Sequence, residues 1–328
     1  MSSNGIPPPP SRSLVGKVAI VTGAGCADGG LGSGRAIAIL LAEDGASVVC
    51  VDRDLALAEK TASLVSEEHA QKQHGGRGVA MQADVSSLED CRAIVQKTKT
   101  ELGRLNILVN NVGILGPQAT AVNTELEDWA EGLEVNVTSM MLMSKFAVPA
   151  MLENQRGGGG IRGSIVNVGS TAGLLGGAKG LLYATSKGAV VQMTRAMAAH
   201  HGQDGIRVNT VCPGTYAPSN VMCGSRCDRE GGFSPAWREA ANATMFDDDR
   251  LTVQSMNHTA GTIYTPMVYS KGMTDEHREA RRERTLLKSE GNAWDNAAAV
   301  RFLAGGDARW ITGTVLTVDA GGSCFSEF

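Results

Sequence analysis

The sequence predicts an α/β protein: a single Rossmann-type doubly wound sheet of about seven parallel strands with helices on both faces. Two observations carry this. Short β-branched apolar runs recur along the chain with no polar alternation, as strands buried on both faces read, and most are separated by segments with a helical period. The first run passes through a glycine-rich turn into the first helical segment. Strands that alternate with helices require right-handed crossovers, and these place a parallel sheet between two helical layers.

Each element follows from its own stretch. KVAIVTG (17–23) reads as the first strand, and RAIAILLAEDG (35–45) as a helix closed by Gly45. ASVVCVD (46–52) is the second strand and 54–68 the next helix. GVAMQADV (78–85) is the third strand, followed by a helix from Ser87 to about Leu102. LNILVNN (105–111) is the fourth strand, and a long helical stretch covers about 125–154. After RGGGG, SIVNV (164–168) is the fifth strand. Tyr183 to His200 is helical and IRVNTVC (206–212) is the sixth strand. NAAAVRFLAG then reads as a helix and TVLTVDA (314–320) as the seventh strand. Residues 1–13, with four consecutive prolines, read as a disordered polyproline-like arm, and 14–328 as one domain.

Composition narrows the function. The 328 residues hold 42% hydrophobic and 20% charged side chains, enough for a sizeable core. The net charge of −4 argues against a nucleic-acid binder, which needs a basic surplus to neutralise phosphates. No run approaches the ~18 apolar residues of a membrane span, and the N-terminus lacks the apolar segment of a signal peptide. Seven scattered cysteines suit reduced thiols, so the chain reads as soluble and cytoplasmic. Cys223 and Cys227 are close in sequence, but no second pair has zinc spacing, so no metal is expected. His200 and His201 end a helix, where the dipole favours cations, and read as structural.

The chemistry gathers after strands, where ligands of open α/β sheets bind. Glycines in TGAGCADGGLGSGRA let the backbone approach a pyrophosphate at a helix N-terminus. Strand two ends at Asp52, where a carboxylate accepts ribose hydroxyls and repels a 2′-phosphate, which favours NAD(H). The adjacent Arg53 keeps NADP(H) as the alternative. Tyr183 and Lys187 are four apart on one helix face. A phenol titrates near 10, and a neighbouring ammonium favours its ionised form, as a base requires. Ser170, at the end of strand five, is placed to hydrogen-bond the same substrate oxygen.

At these residues the sequence resembles the short-chain dehydrogenase/reductase family, NAD(P)-dependent, from about Leu14 to Ser323. The matching motifs are TG…GSG (22–34), VD (51–52), NNVG (110–113), EVNVTS around Asn136, GSIVNVGS (163–170), YATSK (183–187), IRVNTVCPG (206–214), TIYTP (262–266) and ITGTVLTVDAGG (311–322), with the Ser–Tyr spacing of 13 usual in the family. The resemblance implies an alcohol dehydrogenase or ketone reductase. It makes Tyr183 the general acid–base. Lys187 lowers its pKa and binds the nicotinamide ribose, Ser170 polarises the substrate oxygen, and Asn136 holds a water linking Lys187 to solvent. It further implies that Gly23, Gly32 and Gly34 line the pyrophosphate and that Asp52 takes the adenosine ribose. Asp84 and Val85 would meet the adenine, Asn110 would sit at the end of strand four, and Ile263 and Thr265 would hold the carboxamide end. Members usually form homotetramers or homodimers through the helices carrying Asn136 and Tyr183, which agrees with the apolar MMLMSKFAVPAM (140–151). A non-catalytic dinucleotide-binding scaffold is the alternative class, disfavoured by the complete Asn–Ser–Tyr–Lys set. The apolar TAGLLGGAKGLL, with Ile114 and Leu115, suggests an apolar or ring-bearing secondary alcohol or ketone as substrate.

The chain departs from the family pattern at three places. Eight residues (24–31) separate the first two motif glycines where three are usual, which leaves open whether Gly25, Gly29 or Gly30 takes a phosphate contact. Gly169 stands where a second serine is common. Residues 215–261 split the strand-six motif between Gly214 and Thr262, and the two halves join seamlessly if the segment is removed. Three readings compete for it. One is an extra lobe, with Ser234 and Pro235 opening a helix. Another is a disordered excursion. The third is a translated unspliced intron, since Gly214-Thr215 and Ala260-Gly261 can encode donor and acceptor signals in frame, giving an inactive isoform.

Overall fold

A computed structural model describes residues 9–26, 30–176, 178, 180–214, 263–264, 274–283 and 285–324. The chain on either side of residues 217–257 forms one compact unit. Residues 215–261, including the helix expected at 234–245 and the pair Cys223 and Cys227, lie outside the described residues.

Seven strands form one parallel sheet: β1 (Val18–Thr22), β2 (Ser47–Asp52), β3 (Gly78–Gln82), β4 (Ile107–Asn110), β5 (Gly163–Val168), β6 (Ile206–Pro213) and β9 (Val315–Val318), in the order β3-β2-β1-β4-β5-β6-β9. Every adjacent pair is parallel. A short parallel pair, β7 (Ile263–Tyr264) with β8 (Gly291–Asn292), stands apart from it. The order reverses between β1 and β4, the switch point at which doubly wound sheets bind ligands.

The strands are buried because both faces are covered. All residues of β1, β4, β5 and β6 are buried, which explains why their sequences show no polar alternation. On one face, α1 (Ser33–Glu43) and α8 (Ala293–Ala304) pack Ile37, Leu41, Val300 and Leu303 against Ala19, Val21 and Val109. On the other, α3 (Leu88–Leu102) and α5 (Ser139–Leu152) bring Ile94, Met143, Ala147 and Met151 onto Ile20, Leu108 and Ile165. Burying one such aliphatic side chain contributes about 1.5–3 kcal/mol. The helix α2 (Leu55–Lys72) runs four residues past the expected end and stops at Gln73, in the left-handed conformation at φ 57°. Ser87, where the sequence places the start of this helix, is its N-cap and accepts from Asp90 N–H at 3.2 Å.

The long stretch expected at about 125–154 is not one regular helix. α4 (Leu126–Leu133) passes through a π-helical turn, Glu134–Thr138, into α5. Together Leu126–Leu152 are long and apolar enough, by composition, to cross a membrane, although charged residues interrupt them and half of their most apolar window is buried within the protein. The Tyr-bearing helix α6 (Leu181–His201) starts two residues before Tyr183, and α7 (Asp275–Glu283) precedes β8. β8 runs directly into α8 through a reciprocal cap, in which Trp294 N–H donates to Asn292 and Asn292 N–H donates to Asp295.

Candidate active site

The site is assembled at the carboxyl ends of β1, β4, β5 and β6, beginning with a close backbone approach. A Cβ on Gly34 would lie 2.0 Å from the Gly23 carbonyl oxygen, so only glycine lets α1 seat against the end of β1. Gly34 is therefore required for this helix–strand packing. Gly23, at φ +62°, turns the chain out of the strand. Gly32 is the N-cap of α1 and supplies no side-chain cap, so the first N–H groups of the helix retain their hydrogen-bonding capacity and partial positive charge.

The lengthened loop is held by a side chain that the sequence reading passed over. Arg35 is 2% exposed. Its Nη1 donates to the Gly30 carbonyl at 2.5 Å, its Nη2 to the Cys26 carbonyl at 3.3 Å, and its Nε to Thr61 Oγ1 at 3.1 Å. Gly30 thus faces the helix with its carbonyl, and Gly29 lies outside the described residues. Gly25 N–H donates to Asp52 Oδ2 at 2.9 Å, and a Cβ there would collide with that carboxylate at 2.6 Å. Asp54 N–H donates to the other oxygen at 3.1 Å. Each carboxylate oxygen of Asp52 keeps acceptor capacity for a further donor.

Of the adjacent asparagines Asn110 and Asn111, the turn uses the second. Asn111 Nδ2 donates to the carbonyls of Thr22 and Gly23 at 3.2 and 3.1 Å, and its N–H donates to Thr22 Oγ1. Asn110, expected near the cofactor, turns its side chain into the core, where Nδ2 donates to Asn167 Oδ1 at 2.9 Å. Asp84 is engaged locally: Ser86 N–H and Oγ–H both donate to Oδ1, and these bonds hold its carboxyl below the usual range. Val85 is buried beside it. Ile263 lies in β7, with only its backbone described, and Thr265 lies outside the described residues.

The structure brings Ser170, Tyr183, Lys187 and Asn136 into one neighbourhood. Lys187 is 3% exposed; its Nζ donates to the Val168 carbonyl at 3.0 Å and lies 5.8 Å from the centre of the Tyr183 ring. Burial lowers its pKa to about 8. Among the described residues no carboxylate forms an ion pair with it. A Cβ on Gly113 would stand 3.2 Å from both Lys187 Nζ and Asn136 Oδ1, so this glycine leaves room for both. Asn136 sits in the π-helical turn. Its Oδ1 accepts from Ile114 N–H at 2.7 Å, and its Nδ2 donates to the Ile114 carbonyl at 2.9 Å and to Ser186 Oγ at 3.0 Å. π-helical turns recur at functional positions because the extra residue re-aims a side chain.

Ser170 Oγ accepts from Ala172 N–H at 3.1 Å, capping a short 3₁₀ turn. Gly169, before it, has a structural reason to lack a side chain: a Cβ would stand 2.8 Å from Cys212 Sγ and 3.0 Å from Thr210 Oγ1. Burial raises the Cys212 thiol pKa, and burial pushes those of Cys50 and Cys91 up to about 12, so all three remain thiols at neutral pH. Cys50, Cys91 and Cys212 are buried, and Cys324 is exposed.

A doubly wound sheet with a glycine cradle, an uncapped helix N-terminus and an acceptor at the end of β2 fits a dinucleotide. Joined to a half-buried Tyr183 beside buried Ser170 and Lys187, it defines a nicotinamide-dependent oxidoreductase. Comparisons agree. The short chain dehydrogenase family matches residues 17–226, and the enoyl-(acyl carrier protein) reductase family matches 252–323. The chain belongs to the short-chain dehydrogenase/reductase family. It is 30% identical to a 3beta-hydroxysteroid dehydrogenase of Mediterraneibacter gnavus, covering 93% of this chain and 94% of the relative. It is 29% identical to a meso-2,3-butanediol dehydrogenase of Serratia marcescens, covering 93% and 94%. A solved 7 alpha-hydroxysteroid dehydrogenase, complexed with NADH and 7-oxo glycochenodeoxycholic acid, superposes with a TM-score of 0.70 at 28% identity, covering 95% of this chain and 96% of that one. The protein is an oxidoreductase that moves a hydride between a nicotinamide cofactor and a secondary alcohol or ketone.

The buried ammonium sets a pH dependence. The folded pKa of Lys187, about 8, is below its usual 10.5, so between these values the unfolded chain binds more protons and stability rises with pH. Below pH 8 the folded protein carries the full cost of the buried charge. Lys187→Met should therefore melt above the parent at pH 7, and the gap should narrow as pH rises from 8 towards 10.5. Melting curves of both proteins across pH 7–10.5 check this.

Proposed function

We propose that the protein oxidises or reduces an apolar or ring-bearing secondary alcohol or ketone with NAD(H), Tyr183 moving the proton at the substrate oxygen. The observation that carries this is the placement of Tyr183 beside buried Lys187, whose Nζ is 5.8 Å from the ring centre. The cofactor, when bound, supplies the acceptor or donor of hydride. Lys187 stabilises the phenolate of Tyr183 electrostatically in a site shielded from water. Ser170, oriented by Ala172 N–H, polarises the substrate oxygen. Asn136 ties the loop after β4 to α6 and so maintains the space around Lys187; the water relay to solvent starts at this point. Gly23, Gly32 and the helix N-terminus take the pyrophosphate, with Gly34 allowing the approach, and Asp84 and Val85 flank the adenine. The apolar preference for substrate rests on Leu115 and Leu174, which are exposed in loops following the strands of the site. Tyr183→Phe should abolish nearly all turnover and leave NADH binding intact, measured by fluorescence titration. Retention of more than about a tenth of kcat overturns the assignment.

The preference for NAD(H) rests on Asp52. Its carboxylate is fixed by Gly25 N–H and Asp54 N–H, and a 2′-phosphate placed there would meet a fixed negative charge. Asp52→Ala should shrink the ratio of kcat/KM for NAD(H) over NADP(H); a parent enzyme that favours NADP(H) refutes the reading.

The protein assembles as a homotetramer or homodimer. On α5, Met141 is 44% exposed and Leu142 and Phe146 are only half-buried, an apolar outer face that a second copy would cover. Sedimentation at micromolar concentration should show a dimer or tetramer.

Residues 215–261 contribute no catalytic group. The two family matches leave 227–251 uncovered, and the motif residues lie on either side. Deleting 215–261 should raise the melting temperature and lower the KM for the cofactor. A folded but inactive deletion protein would instead identify the segment as a working substrate lobe.

A further inference from the structure

The amino ends of β4, β5 and β6 lie at the opposite end of the sheet from Ser170, and there they border a cavity of about 670 Å³. This is within the size range of pockets that take small molecules. Leu14, Ile107 and Ile161 give it apolar walls. Four cationic side chains also line it, Lys17, Arg162, Arg207 and Arg309, and no Asp or Glu does so among the described residues. The nearby Asp307 is engaged with Arg12, at 3.5 Å.

Among the described residues no carboxylate forms an ion pair with these cations. Arg207 is 4% exposed. Its Nη1 donates to the Ile311 carbonyl and its Nη2 to those of Ala304 and Gly305, which satisfies hydrogen bonds but not charge. Its Nε is buried without a partner. Burial lowers its pKa to about 10, so it stays charged at neutral pH. Arg162 bonds the Leu152 carbonyl through Nη1, and its Nε is also buried without a partner. Lys17 and Arg309 appear in no ion pair of the described residues. The stem of Arg309 lies along Gly159, where a Cβ would stand 3.3 Å from Cδ, so the glycine turn makes room for it. Concentrated positive charge with buried N–H groups lacking acceptors is costly unless a counter-charge completes it.

We propose that this cavity is a second ligand site, distinct from the catalytic one, for a small organic oxyanion with an apolar body. The oxyanion would be held by Lys17 and Arg309 against the fixed guanidiniums, and the hydrocarbon would lie on Leu14, Ile107 and Ile161. The probes are octanoate, acetate, which lacks the apolar body, and 1-octanol, which lacks the charge. Calorimetric titration of the full chain, saturated with NADH to occupy the cofactor site, should show octanoate binding in the millimolar range or tighter and both analogues binding more weakly. Added salt should weaken the octanoate interaction. The double variant Lys17→Gln/Arg309→Gln should lose about tenfold in octanoate affinity while NADH affinity and kcat stay at parental values. Arg309→Glu alone, a charge reversal on a side chain with no ion pair to lose, should do the same should the double variant misfold. Failure of octanoate to bind, equal binding of octanol, or unchanged affinity in the variants overturns the proposal.

Discussion

A buried ammonium group with no carboxylate paired to it among the described residues is the constraint around which this site is organised. Lys187 keeps its charge in a nearly dry pocket with one carbonyl, that of Val168, as its hydrogen-bond acceptor. Such a group is expensive, and its neighbours are those that tolerate or use it. Gly113 withholds a side chain, Asn136 spans from the β4 loop to α6 through Ser186, and the π-helical turn aims Asn136 into place. The cost has a return in chemistry, because a cation in a medium of low polarity acts on a nearby phenol far more strongly than it would in water.

The nucleotide half of the site works by a different economy, that of backbone proximity. Gly34 meets the Gly23 carbonyl, Gly25 meets Asp52, and Asn111 ties the ends of β1 and β4 together at the switch point. Arg35 links this arrangement to the longer loop. Its guanidinium takes the loop carbonyls of Cys26 and Gly30 and the Thr61 hydroxyl of α2. A buried arginine spread over carbonyls also appears at the other end of the sheet, where Arg207 closes the carboxyl end of α8.

Most of the sheet was legible because strands buried on both faces leave an unmistakable run of β-branched residues, and the pairing of Tyr183 with Lys187 was legible because four residues along one helix share a face. Less was legible where one residue of register decides the outcome. Asn110 and Asn111 are chemically identical, and successive strand residues face opposite sides, so only the placement of β4 shows that Asn111 reaches the turn while Asn110 enters the core. The π-helical turn adds a single residue to a helical circuit, too small a phase change to read in a mixed apolar segment. Arg35 read only as the first residue of a helical segment, because two of its three partners are backbone carbonyls, which carry no sequence signature.

The contact between residues 169 and 212 bears on how this site can change over generations. The thiol of Cys212 occupies the volume into which a side chain at 169 would project, directly behind Ser170. The two positions therefore share one small allotment of space. A serine or alanine arriving first at 169 would press on Cys212 and Thr210 of β6, whereas a smaller residue arriving first at 212 would remove the closer of these two contacts. Of the two mutational orders leading to the same pair of residues, one meets both contacts at once and the other meets them after the closer has been relieved, so the order of steps is itself constrained.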